Sequence, residues 1–116
     1  MFTMLSYLVK RDGMTVEDFV EYYENCHVPL ILSLGPHPLV YKRRYLRRGD
    51  AANVAEETIE FDVVTEIAFA DRAAFESWST AVGTGVDGDR VAADEALFLD
   101  RSRTRATVID DHVTAG

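Results

Sequence analysis

The sequence predicts an α+β domain of ferredoxin-like type, with the element order strand, helix, strand, strand, helix, strand (βαββαβ) and one four-stranded antiparallel sheet. Three observations carry this expectation. Apolar residues recur at spacings of three and four in two stretches, whereas four other stretches are short, aromatic or β-branched, and strand-like. Turn chemistry separates these stretches, as at Asp12-Gly13 and Gly35-Pro36-His37-Pro38. The 116 residues, 47% apolar, fill one core and not two, so residues 1–116 are expected to form a single domain.

The elements follow in chain order. Residues 2–10, with Leu5, Tyr7, Leu8 and Val9, form the first strand and stop at Arg11-Asp12-Gly13. Thr15, three residues before Asp18, opens a helix as a capping box. Phe19, Tyr22, Tyr23, Cys26, Leu30 and Leu34 then give it one broad apolar face. His27 lies four residues after Tyr23 on that face, and Pro29 just beyond it removes a bond to the carbonyl of Asn25, which predicts a kink or an early end. Residues 39–48 alternate as a second strand that carries Lys42, Arg43, Arg44, Arg47 and Arg48. That cluster fits either a solvated edge or an anion contact.

Residues 49–57 are polar and aperiodic, a loop of the kind that covers sites. Residues 58–69 alternate most clearly, with Phe61, Val63, Thr65, Ile67 and Phe69 on one face and Asp62, Val64, Glu66 and Ala68 on the other. Asp62 and Glu66 therefore share a face about 13 Å apart, able to line one cavity or to meet solvent or a partner subunit. Asp71 caps a second helix striped by Ala74, Phe75, Trp78 and Val82. The segment Gly83-Thr84-Gly85-Val86-Asp87-Gly88 matches G-x-G-x-x-G, but it follows a helix and not a strand, so a flexible surface loop is expected and not a dinucleotide site. Asp87, Asp89 and Asp94 lack the pattern of a calcium loop. Residues 91–99 form a short helical or irregular piece, and residues 103–113 the last strand.

Charge and cysteine content restrict the function. Twelve basic against twenty acidic residues give a net charge of −8, which repels phosphate backbones and anionic lipid and so argues against nucleic-acid or membrane partners. The single cysteine, Cys26, makes no internal disulfide, and no zinc-spaced cluster accompanies it, so no metal is expected. With no signal core or spanning segment, a cytoplasmic location is expected. Two helices cover only one sheet face, and closing the other against a second copy predicts a homodimer whose sheets form a barrel.

The succession Leu5-Ser6-Tyr7-Leu8-Val9-Lys10-Arg11, Gly13-Met14-Thr15, Asp18-Phe19, Tyr22-Tyr23, His27-Val28-Pro29-Leu30, Arg43-Arg44-Tyr45 and the run from Phe61 to Phe69 resembles the EthD family of dimeric α+β barrel proteins. The resemblance extends from about residue 5 to residue 78. It implies that fold and a dimer, with the family's histidine at His27 and its Asp-x-x-x-Glu strand motif at Asp62 and Glu66. The family is named for a protein of ether-degradation operons, and its relatives include polyketide dehydratases and decarboxylases. The wider superfamily holds cyclases, lactone isomerases and cofactor-free monooxygenases.

Such a fold implies a pocket between helices and sheet, faced by His27. Imidazole, with an unperturbed pKa of ~6.5, suits proton abstraction beside a carbonyl, and Asp62 is expected to orient it or to act as second acid or base. Tyr7, Tyr23, Tyr45, Glu66, Phe75 and Trp78 are the expected substrate-contacting residues. The resulting expectation is a cofactor-independent lyase, cyclase or isomerase acting on a small hydrophobic, carbonyl-bearing or polyketide-like molecule, with a cofactor-free monooxygenase as a variant. A structural His27 within a non-catalytic binding dimer is the rival reading.

Overall fold

Each strand is short because its partner is short, and the hydrogen-bond register shows where each one stops. The structure is a computed structural model describing residues 1–116. Strands β1 (Phe2–Leu8), β2 (Val40–Tyr45), β3 (Val63–Phe69) and β4 (Arg105–Ile109) form one antiparallel sheet in the order β2-β3-β1-β4. Thr3 pairs with Ile109 close to the N-terminus, so residues 110–113, expected as strand, have no neighbour to bond and lie outside β4. Tyr45 pairs with Val63 as the last rung between β2 and β3, so residues 58–62 are not strand either. Glu56–Thr58 form a single 3₁₀ turn there, and Phe61 turns its ring edge onto Tyr7 at a centroid separation of 5.0 Å.

The first helix is built in three parts. Thr15 caps α1 (Val16–Tyr22) by accepting from the Asp18 amide. A π-helical turn, Tyr23–His27, follows, closed by the Val28 amide donating to the Tyr23 carbonyl, and α2 (Val28–Ser33) continues from it. Pro29 therefore stands in the first turn of α2, where a missing amide is tolerated. The kink expected from the sequence takes the form of one widened turn.

Asp71 caps α3 (Arg72–Gly83) through the Ala74 amide, and α4 (Gly85–Glu95) follows almost at once. This corrects the expected flexible loop at residues 83–88. Gly85 takes φ +66°, and a Cβ on Gly88 would lie 2.6 Å from the Gly83 carbonyl carbon. The three glycines thus make a tight helix-to-helix joint, and their spacing serves that approach.

All helices lie on one sheet face. Phe69 stacks on Phe75 and Trp78 of α3, and Tyr45 meets Phe19 of α1, so Phe2, Ser6, Leu8, Tyr41, Arg43, Tyr45, Val63, Thr65 and Ile67 point towards the helices. Alternation turns Leu5, Tyr7, Val40, Arg44, Val64 and Glu66 to the opposite, uncovered face. Two packed centres fill the covered side. One gathers Leu8, Phe19, Tyr23, Val28, Val63, Phe98 and Leu99, and the other Ile31, Val82 and Val91. Phe98, completely buried, touches the rings of Phe19, Tyr22, Tyr23 and His27 from the far end of α4. No helix is long and apolar enough to cross a membrane.

Candidate active site between the helices and the sheet

Where the two packed centres fail to meet they leave a cavity of about 150 Å³. Its apolar wall includes Leu8, Ile31, Ile67, Trp78, Val82 and Val91, and its polar groups are Ser6, Tyr23, His27, Tyr41, Thr65, Glu95 and Thr104. A concave, mostly apolar space with a few convergent polar groups is the usual form of a small-molecule site.

His27 is buried on the wall of this cavity, and Asp94 of α4 holds it there. The imidazole Nδ1 lies 2.8 Å from Asp94 Oδ2, and the Tyr22 hydroxyl donates to Asp94 Oδ1 at 2.6 Å. The π turn makes this sharing feasible. Residues five apart on an α-helix diverge by about 140° around the axis, whereas the wider turn returns them to nearly the same side. A carboxylate on Nδ1 selects the tautomer that protonates this nitrogen and leaves the Nε2 lone pair as the acceptor. The same carboxylate, through its hydrogen bond, pushes the Tyr22 phenol up to about 12.

Three phenols and a second acid complete the surroundings. Tyr23 and Thr65 share a hydrogen bond of 2.7 Å across the cavity floor. Burial raises the Tyr23 phenol; burial first and the neighbouring Tyr23 second raise that of Tyr41, so both stay protonated donors at neutral pH. Glu95, the residue after Asp94, has its carboxyl pushed up by burial, against the opposing pull of His27 and Arg101. It therefore keeps a proton to higher pH than an ordinary glutamate. Beside the cavity, Arg43 grips Glu24 with two nitrogens at 2.6 and 2.9 Å, and the Tyr45 hydroxyl donates to the same carboxylate. The Arg43 bond is the main reason that Glu24 is held below the usual carboxylate range.

The residues expected from the sequence divide between several places. Tyr23, His27 and Trp78 line the cavity. Asp62 does not accompany His27: its carboxylate accepts from the Lys10 amide at 2.7 Å and lies 3.7 Å from Arg48. Glu66 stands on the uncovered sheet face, paired with Arg44 at 2.7 Å, and Tyr7 stands on that face against Phe61. Strand parity makes this correction, since Asp62, Val64 and Glu66 alternate with the helix-facing Val63 and Thr65. Phe75 packs with Phe2, Phe69 and Trp78 away from the cavity, and Tyr45 serves Glu24. Of the five clustered basic residues, Arg43, Arg44 and Arg48 each face a carboxylate.

Sequence reasoning missed Asp94, Glu95, Tyr41, Thr65, Ser6 and Thr104. The one available signal was Tyr41 and Thr65 falling in phase with Tyr45 and Val63 on their strands.

The model of the EthD domain matches residues 11–102, most of the chain and all of the site except Ser6, Leu8 and Thr104. The chain belongs to the EthD family. Solved structures agree on the fold. An ethyl tert-butyl ether D family protein from Bacillus halodurans C-125 is 19% identical, with 97% of this chain and 100% of that one covered at a TM-score of 0.63. A NIPSNAP domain protein from Burkholderia xenovorans is 11% identical over 100% and 99% of the two chains, with a TM-score of 0.61. A protein from Thermobifida fusca, described as a dimeric ferredoxin-like protein, is 14% identical over 93% and 88%, with a TM-score of 0.56. No curated protein matches the chain.

Proposed function

We propose that this EthD protein is a cofactor-independent acid–base enzyme, a lyase or isomerase, acting as a homodimer on a small hydrophobic molecule that carries a carbonyl. The observation that supports the reading is His27, held by Asp94 at the wall of a largely apolar cavity that also contains a raised carboxyl, Glu95. In this reading Nε2 removes a proton from the carbon beside the carbonyl, and the electron pair moves onto the carbonyl oxygen. The Tyr23 and Tyr41 phenols, neutral at working pH, donate to that developing oxyanion. Glu95 then delivers a proton, either to a departing hydroxyl, which gives dehydration, or to a carbon one bond removed, which gives isomerisation. Asp94 acts as a positioning residue that also stabilises the imidazolium formed. The apolar wall favours an aromatic or polyketide-like body over a sugar or nucleotide.

The test is conversion of aromatic polyketide-type and lactone substrates, followed by mass spectrometry, with circular dichroism confirming the fold of each variant. His27→Ala is expected to lose about 10²- to 10⁴-fold in turnover of any converted substrate. Asp94→Asn is expected to lose less, because the amide still reaches Nδ1 but no longer fixes the tautomer of the ring. Binding without conversion by the wild type, equal in His27→Ala, would favour a carrier and sink the catalytic reading.

A further inference from the structure

We propose that the molecule bound in this site has two parts: a hydrophobic carbonyl-bearing body in the cavity beside His27, and a carboxylate arm that lies outside it on Arg101. The proposal rests on the site reading above and adds the chemical class of the ligand. A second depression, of about 410 Å³, is lined by Glu95, Arg101, Ser102 and Thr104 and by no apolar side chain. Glu95 and Thr104 also line the inner cavity, so the apolar chamber opens into a polar one across these two residues. Arg101 also lines the adjoining depression, together with Arg11, Asp12 and Asp100.

The cation there is only lightly engaged. Arg101 Nε lies 3.3 Å from Glu95 Oε1, and its side chain is 54% exposed against 29% for Glu95. A solvent-facing pair with one long contact is weak, whereas the guanidinium fork matches an incoming carboxylate with two parallel bonds. Arg103 is paired with Asp100 at 3.9 Å, and Arg105, opposite Tyr7 on the uncovered sheet face, donates to the carbonyls of Ser102 and Thr104, so Arg101 is the cation that faces the mouth of the cavity. A wholly neutral ligand would leave that cation unused. A ligand carboxylate would displace Glu95 from Arg101 and leave that acid free beside His27.

The test compares 4-oxo-4-phenylbutanoate with its primary amide by isothermal titration calorimetry, two probes that share an aryl ketone and differ in one charge. The wild type is expected to bind the acid about tenfold tighter than the amide. Arg101→Gln should bring the acid down to the amide's affinity without changing the amide's own, and Arg101→Lys should fall between. Arg101 is exposed, so these variants are expected to melt as the wild type does. Val82→Trp, or Ser6→Leu should the first fail to fold, fills the inner cavity and should weaken both probes. Equal binding of acid and amide to the wild type, or an acid preference that survives Arg101→Gln, overturns the carboxylate subsite and leaves the cavity reading standing. Binding of both probes unchanged by the filling variant overturns the cavity reading instead, and no binding of either overturns both.

Discussion

Asp94 changes what His27 is able to do. With its Nδ1 held at 2.8 Å by a carboxylate that is itself held by Tyr22, the ring has one orientation, and its other nitrogen is the one left for chemistry. In the adjacent Glu95, burial disfavours the charge. Glu95 and Glu24 give the protein two pH limbs of opposite sign. Glu24 is held below its ordinary value of 4.5 by Arg43, so its contribution to stability is present above pH 4.5 and is lost as pH falls through its folded value. Glu95 is raised above 4.5, so the folded state binds more protons there and stability declines as pH rises from 4.5 through the folded value. Melting temperatures measured from pH 3 to pH 8 should accordingly show a flatter acid limb for Glu24→Gln and a flatter upper limb for Glu95→Gln. Identical profiles for wild type and both variants would refute the assignment.

At the scale of elements, two local departures from regular helix position the site. The π turn Tyr23–His27 brings Tyr22 and His27 onto one carboxylate, and the glycine joint between α3 and α4 sets where that carboxylate arrives. Gly85 starts α4 two residues after α3 ends, which lets Val91 pack between the layers while Asp94 and Glu95, one turn further, reach His27 and the cavity. A methyl group on Gly88 meets the Gly83 backbone and not a flexible side chain, so the helices must separate to admit it. Gly88→Ala is expected to destabilise by roughly 1–3 kcal/mol, the usual cost of forcing an extra methyl into a packed contact, despite alanine's better helix propensity. Urea unfolding measures this directly, and an unchanged midpoint would show that the joint is looser than its geometry implies.

For the molecule as a whole, the unresolved demand is the sheet face that carries Leu5, Tyr7, Val40 and Val64 with the Arg44–Glu66 pair among them. All helices lie on the other side, and a half-apolar sheet of four strands is seldom left bare to water. The proposed homodimer buries this face against its copy about a two-fold axis, which places Glu66, Arg44 and Tyr7 in an interface and not in the cavity beside His27. Leu5→Lys puts a charge at its centre, directly opposite Glu66 across the β1–β3 ladder. Sedimentation equilibrium should give a dimer for the wild type and a monomer for the variant, with the far-ultraviolet spectrum retained. A wild-type monomer at tens of micromolar would reject the barrel.

Residues close in the chain already carried much of this protein's description. The Thr15 and Asp71 caps, the alternation of residues 63–69 and the three-and-four spacing around His27 are local properties, because backbone hydrogen bonding and side-chain periodicity act over a few residues. They were enough for the α+β order and the family resemblance. Contacts between distant segments were not legible in that way. Asp94 lies 67 positions from His27 and Thr65 lies 42 from Tyr23, and nothing in the composition of α4 marks one of its acids as a partner. Asp62 attracted attention because its motif sits on the clearest strand, yet parity and the Lys10 amide took it elsewhere. Periodicity says which residues share a face; which face meets the helices, and which carboxylate reaches a given imidazole, follows from how the layers pack.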